Sequence, residues 1–169
     1  MRLKKRKFIS SVMDKGARIN LFWLIVIALI VIDQAVKFMI MTSMDIGHSV
    51  PVVPGIFHIT YIQNPGAAFG ILADQRWIFI CAGVLIIGVG LFFYRRLQQE
   101  GALVYYGSSL LLGGAASNLI DRIWLGKVID FFDFRIWPVF NTADIAICVG
   151  VAFIMYALLR EEWKEAHQA

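Results

Sequence analysis

Four stretches of this chain run apolar for about twenty residues without the regular polar face of a soluble amphipathic helix: Leu21–Met41, Trp77–Tyr94, Ala102–Ile123 and Phe140–Leu159. Hydrocarbon about 30 Å thick is crossed by about 20 such residues in a helix, so the pattern predicts four transmembrane helices. Between the first two the period changes. Val50-Pro51-Val52-Val53-Pro54-Gly55 leads into Ile56-Phe57-His58-Ile59-Thr60-Tyr61-Ile62, an alternating run rich in β-branched and aromatic side chains. It stops at the turn signal Asn64-Pro65-Gly66. Residues 45–72 are therefore expected to hold a small β platform beside the helices. The loop 124–140 is short and aromatic, and its Trp137-Pro138 end suits an anchor at the membrane interface. In the third span, Gly113-Gly114-Ala115-Ala116-Ser117 predicts a face where helix backbones approach closely.

Composition sharpens the class. Of 169 residues, 59% are hydrophobic and 17% charged, too apolar a balance for one soluble domain. The fold class expected is a mainly α integral membrane protein. The net charge of +4 conceals an asymmetry, because Arg2, Lys4, Lys5, Arg6, Lys7, Lys15 and Arg18 all precede Leu21. With Arg95, Arg96, Arg160 and Lys164 they fall on one side of the predicted spans, against Arg76, Lys127 and Arg135 on the other. The positive-inside rule then puts both termini in the cytoplasm and the β platform outside. The layout expected is a basic cytoplasmic segment 1–20, a four-helix domain 21–160 that includes the outer β region 45–72, and a cytoplasmic tail 161–169. A basic segment beside a span suits anionic membrane lipid better than nucleic acid. Cys81 and Cys148 lie in apolar spans and, like His48, His58 and His167, show no metal-ligand spacing, so no metal is expected. No Ala-x-Ala-like site follows Leu21–Ile32, so the first span is read as retained and not as a cleaved signal.

The informative residues are the polar ones that interrupt the spans. Asp33 and Lys37 are four apart, as are Asn118 and Arg122; Asn118 and Asp121 are three apart, as are Asn141 and Asp144. Each pair thus shares a helix face. Given the topology, all fall near the outer helix ends, where a transmembrane ion path would need polar groups through the whole depth. Bland roles suffice for several of them. Asp33 and Lys37 suit an intrahelical ion pair, Asp121-Arg122 a helix end at the interface, and Asn118 and Asn141 interhelical hydrogen bonds. Asp74 and Asp133 read as solvated loop carboxylates. Asp130 and Asp144 are harder to dismiss, since a carboxylate in apolar surroundings is costly unless paired, protonated or used. Arg135 stays open as a partner for Asp130. If the loop folds back, the two aspartates face one another and share one proton, which supplies a base and an acid together at neutral pH. One would draw a proton from an attacking water while the other protonates a scissile carbonyl. Residue types alone also leave a transporter or channel and a structural scaffold open.

Five blocks then take on meaning together: Asp33-Gln34-Ala35-Val36-Lys37, Asn64-Pro65-Gly66-Ala67-Ala68-Phe69, Asn118-Leu119-Ile120-Asp121-Arg122, Val128-Ile129-Asp130-Phe131 and Phe140-Asn141-Thr142-Ala143-Asp144. In this order, with four spans, the chain resembles the lipoprotein signal peptidases, bacterial signal peptidase II. The resemblance implies an inner-membrane aspartic peptidase without metal or other cofactor, its active site near the periplasmic face. It implies Asp130 and Asp144 as the catalytic pair, with Asn64 binding substrate backbone near Gly66. Asp33, Lys37, Asn118, Arg122 and Asn141 match positions that line or support the site. The implied partners are diacylated prolipoproteins, cut before the lipidated cysteine, the membrane lipids, and the inhibitory cyclic peptide globomycin. Ser117 departs from the pattern, standing where the family usually has Gly.

Overall fold

A computed structural model describes residues 2–66 and 74–168, with side chains described for these except residues 2–19, 165 and 168. α1 (Arg2–Ser43) leads to β1 (Ser49–Val53) and β2 (Phe57–Asn64), then to α2 (Arg76–Phe92) and the one-turn α3 (Tyr94–Leu97). α4 (Ala102–Trp124), β3 (Val128–Asp133) and α5 (Thr142–Gln168) complete the order. Among the described residues three helices are long and apolar enough to cross a membrane: Asn20–Ser43 within α1, all of α4, and Thr142–Lys164 within α5. α2 is apolar but has 17 residues. All four expected segments are helical, with shifted bounds. The last helix begins at Thr142 and not at Phe140, because Phe140 is held in the sheet.

α4 packs against α1, α2 and α5, and its small residues are the reason. A Cβ on Gly114 would lie 2.5 Å from the Ala143 carbonyl oxygen, and one on Gly107 2.7 Å from that of Gly150. α4 and α5 therefore meet backbone to backbone. Gly113 faces the other way, onto Leu29 and Val26 of α1. The expected small-residue face is present and reaches further, to Gly107 and Gly150. Away from the sheet, Phe22, Val26, Tyr105 and Leu112 form a buried core, with Phe22 edge-on to Tyr94 and Tyr105. Outward side chains such as Leu24, Phe38, Leu85 and Leu158 are exposed, so the helices present an extensive apolar outer surface.

The sheet has the order β1-β2-β3, antiparallel throughout. β1 and β2 match the period-2 reading of 45–72; residues 67–72 of that region lie outside the described residues. β3 corrects the reading of 124–140 as a plain loop. Val128–Asp133 forms a strand because its alternate residues Ile129 and Phe131 bury one face almost completely, which leaves Val128 and Asp130 to face a cavity. Between the pairs Ile59–Phe132 and Ile62–Asp130 the β2 strand carries one extra residue, a bulge that re-aims the strand pair next to Asp130. After β3 the chain turns through Arg135 at φ 64° and returns, so that Phe140 exchanges backbone hydrogen bonds with Phe132. That return sets the start of α5 beside Asp130.

Candidate active site

The first turn of α5 is a reciprocal cap. Asp144 N–H donates to Asn141 Oδ1 at 2.9 Å, and Asn141 N–H donates to Asp144 Oδ2 at 3.1 Å. This is the logic of a capping box, with Asn and Asp in place of Ser and Glu. A carboxylate at this position also gains from the positive end of the helix dipole. The cap is satisfied further by Asp33 of α1, whose Oδ1 accepts the Ala143 N–H at 2.9 Å. Asp144 is thus fixed by its own helix start.

Asp130 is fixed by two amides. Asn64 Nδ2, at the end of β2, donates to Asp130 Oδ2 at 2.9 Å, and Asn141 Nδ2 donates to Oδ1 at 2.7 Å. Asn64 is oriented for this because its Oδ1 accepts the Gly66 N–H at 2.9 Å. Asn118 of α4 completes the ring. Its Nδ2 donates to Asp144 Oδ1 at 2.8 Å and its Oδ1 accepts Asn141 Nδ2 at 3.1 Å. Two carboxylates and three asparagines therefore form one hydrogen-bonded network.

Beneath the network lies a buried ionic cluster. Lys37, 1% exposed, donates to Asp33 Oδ2 and Asp121 Oδ2, both at 2.7 Å, and to Asn118 Oδ1 at 2.9 Å. An ammonium has three donors, and all are used. Asp121 also accepts from Gln34 Nε2 at 2.7 Å and from the Ile129 N–H at 3.2 Å. Ser117 Oγ donates to Asp33 Oδ2 at 2.7 Å and accepts from Gln34 Nε2 at 3.0 Å. The Asp33–Lys37 pair expected from spacing is present, but it is one edge of a cluster joining α1, α4, β3 and α5. Asp121 is not the interface-anchoring helix end expected of it. It is 2% exposed and ties three elements together.

Asn64, Gly66, Asn118, Arg122, Asp130 and Asp144 all line one cavity of about 720 Å³. Phe79, Ala82, Gly83 and Ile86 of α2 form one wall, and Ile145, Ile147, Cys148 and Val149 of α5 the other. Trp137–Phe140 of the returning loop close one end. Arg122 sits 4.7 Å from the Phe79 ring centre and donates to the Gly66 carbonyl at 3.4 Å. Burial, and then the charge of Asp144, push the Asp130 carboxyl from 3.8 up to about 7. Asp130 therefore holds its proton to far higher pH than an ordinary carboxyl. Among the described residues no group of His, Cys, Asp and Glu is arranged to hold a metal ion.

Every site residue named from the sequence lies in this region, and Asp130, Asp144, Asn64, Asn118 and Asn141 share direct hydrogen bonds. Ala67, Ala68 and Phe69 lie outside the described residues. Asp133 corrects the expectation of a solvated carboxylate: it is 5% exposed and accepts from Thr60 Oγ1 and Arg135. Arg135 therefore serves Asp133, which answers whether it pairs with Asp130. The sequence by itself gives Gln34, Ser117 and Arg76 no role in this machinery. Arg76 closes the α4 C-terminus by donating to the Arg122 and Ile123 carbonyls, both at 2.7 Å. Spacing holds a signal for Ser117, which stands four residues before Asp121 on the face that meets Gln34.

Residues 25–160 match the family described as signal peptidase (SPase) II. The chain is 43% identical over 140 residues to the lipoprotein signal peptidase of Halothermothrix orenii, covering 83% of this chain and 96% of the relative. It is 46% identical over 138 residues to that of Moorella thermoacetica, covering 82% and 92%. A bacterial membrane enzyme solved by the in meso method at 2.3 Å resolution matches with a TM-score of 0.80 and 36% identity, over 85% of this chain and 90% of the other. With the paired carboxylates, the helices suited to a membrane and these likenesses in view, the chain belongs to the signal peptidase II family and is a membrane peptidase.

Proposed function

We propose that Asp130 and Asp144 are the catalytic pair with which this peptidase cuts diacylglyceryl-modified prolipoproteins just before the lipidated cysteine. The family match carries the coarser statement, that the chain removes signal peptides from prolipoproteins, and it sets aside the transporter and scaffold readings. One observation above all supports the pair: both carboxylates open into a single cavity and are bridged by Asn141. Two carboxyl groups so close hold one proton between them at neutral pH. The ionised one takes a proton from water as the oxygen attacks the scissile carbonyl. The protonated one donates to the carbonyl oxygen, and the pair then protonates the leaving amine. Asn64, beside Gly66 in the cavity lining, holds the substrate backbone. Asp33, Lys37, Asn118, Arg122 and Asn141 hold the pair in place.

The membrane arrangement follows from the same reading. α2 is the fourth span, about 26 Å long at 1.5 Å per residue, close to the hydrocarbon thickness. Both termini are cytoplasmic, with residues 1–20 and 161–169 flanking a membrane domain of 21–160. The site and the sheet lie toward the periplasmic face of the inner membrane. There a substrate keeps its apolar signal helix in lipid while its body hangs outside. The apolar walls from α2 and α5 suit the acyl chains of such a substrate, with surrounding membrane lipid as its medium, and suit a cyclic peptide such as globomycin. The test is cleavage of a purified prolipoprotein with and without its diacylglyceryl group. The lipidated form should yield a product beginning at the modified cysteine, blocked by globomycin. Equal cleavage of the unlipidated form, or a cut elsewhere, contradicts the reading.

A further inference from the structure

Asp121 does not line the cavity, yet it touches the supports of both aspartates. On one side its Oδ2 accepts the Ile129 N–H, one residue before Asp130, where β3 pairs with the bulged part of β2. On the other side the same oxygen pairs with Lys37, whose third donor holds Asn118 Oδ1. A primary amide has one accepting and one donating end, so fixing Oδ1 turns Nδ2 onto Asp144. Gln34 locks the remaining oxygen of Asp121. We propose that Asp121 is a positioning residue for the carboxylate pair: it sets the strand that aims Asp130 and, through Lys37, the amide that holds Asp144. This rests on the reading of Asp130 and Asp144 as catalytic.

The charged groups facing the pair are Asp33 and Lys37 from α1, Arg122 and Asp121 from α4, and the two aspartates themselves from β3 and α5. Removing the charge of Asp121 leaves Lys37 less neutralised, and Lys37 favours the ionised form of Asp130. Asp121→Asn keeps the shape and an acceptor for Ile129 but loses that charge. Its kcat on a diacylated prolipoprotein should fall about 10–100-fold with KM within about 2-fold of wild type, since small misplacement of a reacting group costs on this scale. The alkaline limb of its kcat profile should move to lower pH by about half a pH unit. Gln34→Ala, which frees only one Asp121 oxygen, should give the same split at about 3–10-fold. Overturning results are wild-type turnover in both variants, or activity that falls only with the folded fraction while the profile keeps its limbs. Asp130→Asn run in parallel separates the two ideas. If it retains turnover, the catalytic pair itself is wrong; if it is inactive while Asp121→Asn behaves as wild type, the positioning role alone fails.

Discussion

Asn141 occupies the position that makes two distant aspartates one unit. Its backbone and Oδ1 cap the helix that carries Asp144, and its Nδ2 reaches Asp130 on a strand of the sheet. Asn141→Ala removes a cap and leaves Asp130 with one fewer donor, so stability should drop by about 1–3 kcal/mol in a denaturation experiment, with cleavage reduced more than stability accounts for. Asp130 itself titrates against the fold. With its carboxyl raised from 3.8 to about 7, the native state keeps a proton that the unfolded chain releases. Stability therefore falls as pH rises across that window, and the cost is complete above it. Asp130→Asn has no such proton to lose, so its melting temperature relative to wild type should climb between pH 5 and pH 8. A constant difference would contradict the assignment. Ser117 has a definite task, giving Asp33 Oδ2 a second donor beside Lys37. Ser117→Gly should lower stability by about 1–2 kcal/mol, read from thermal unfolding, while cleavage persists.

At the scale of elements, the site depends on how closely α5 lies against α4. The Gly114 backbone abuts Ala143, the residue just before Asp144 in the first turn of α5. Gly114→Val should force that turn outward and reduce both cleavage and melting temperature, whereas a substitution at Gly88, which faces open space, should leave both near wild type. Much of this was legible in the sequence. Long apolar runs mark helices whatever their neighbours, and the β-branched alternation marks β2. The aspartates stood out because apolar context made them expensive. β3 was hidden because a six-residue strand becomes recognisable only once β2 offers its edge and the helices bury Ile129 and Phe131. The burial of Asp133 is hidden for the same reason: its partners Thr60 and Arg135 meet it only after the sheet forms. The role of Asp121 was illegible because its contacts come from α1 and from β3, which no local spacing encodes.

The whole molecule is a central helix, α4, with α2 and α5 standing apart as two walls of a mostly apolar cleft that leads to the carboxylates. Cys148 on the α5 wall and Ala82 on the α2 wall both line it. In a Cys81→Ser background, Ala82→Cys joined to Cys148 by a reducible crosslinker should block cleavage, and reduction should restore it. Retained activity in the crosslinked protein would mean that substrate enters by another route. The account as a whole comes down to whether two carboxyl groups, one from a strand and one from a helix start, share the hydrolysis. Turnover of a diacylated prolipoprotein by Asp130→Asn and by Asp144→Asn, each checked for folding by its melting transition, tests this most directly. Each folded variant should lose at least about 1,000-fold in kcat, on the scale of general acid–base catalysis by a positioned group; near-normal turnover by either would contradict the account.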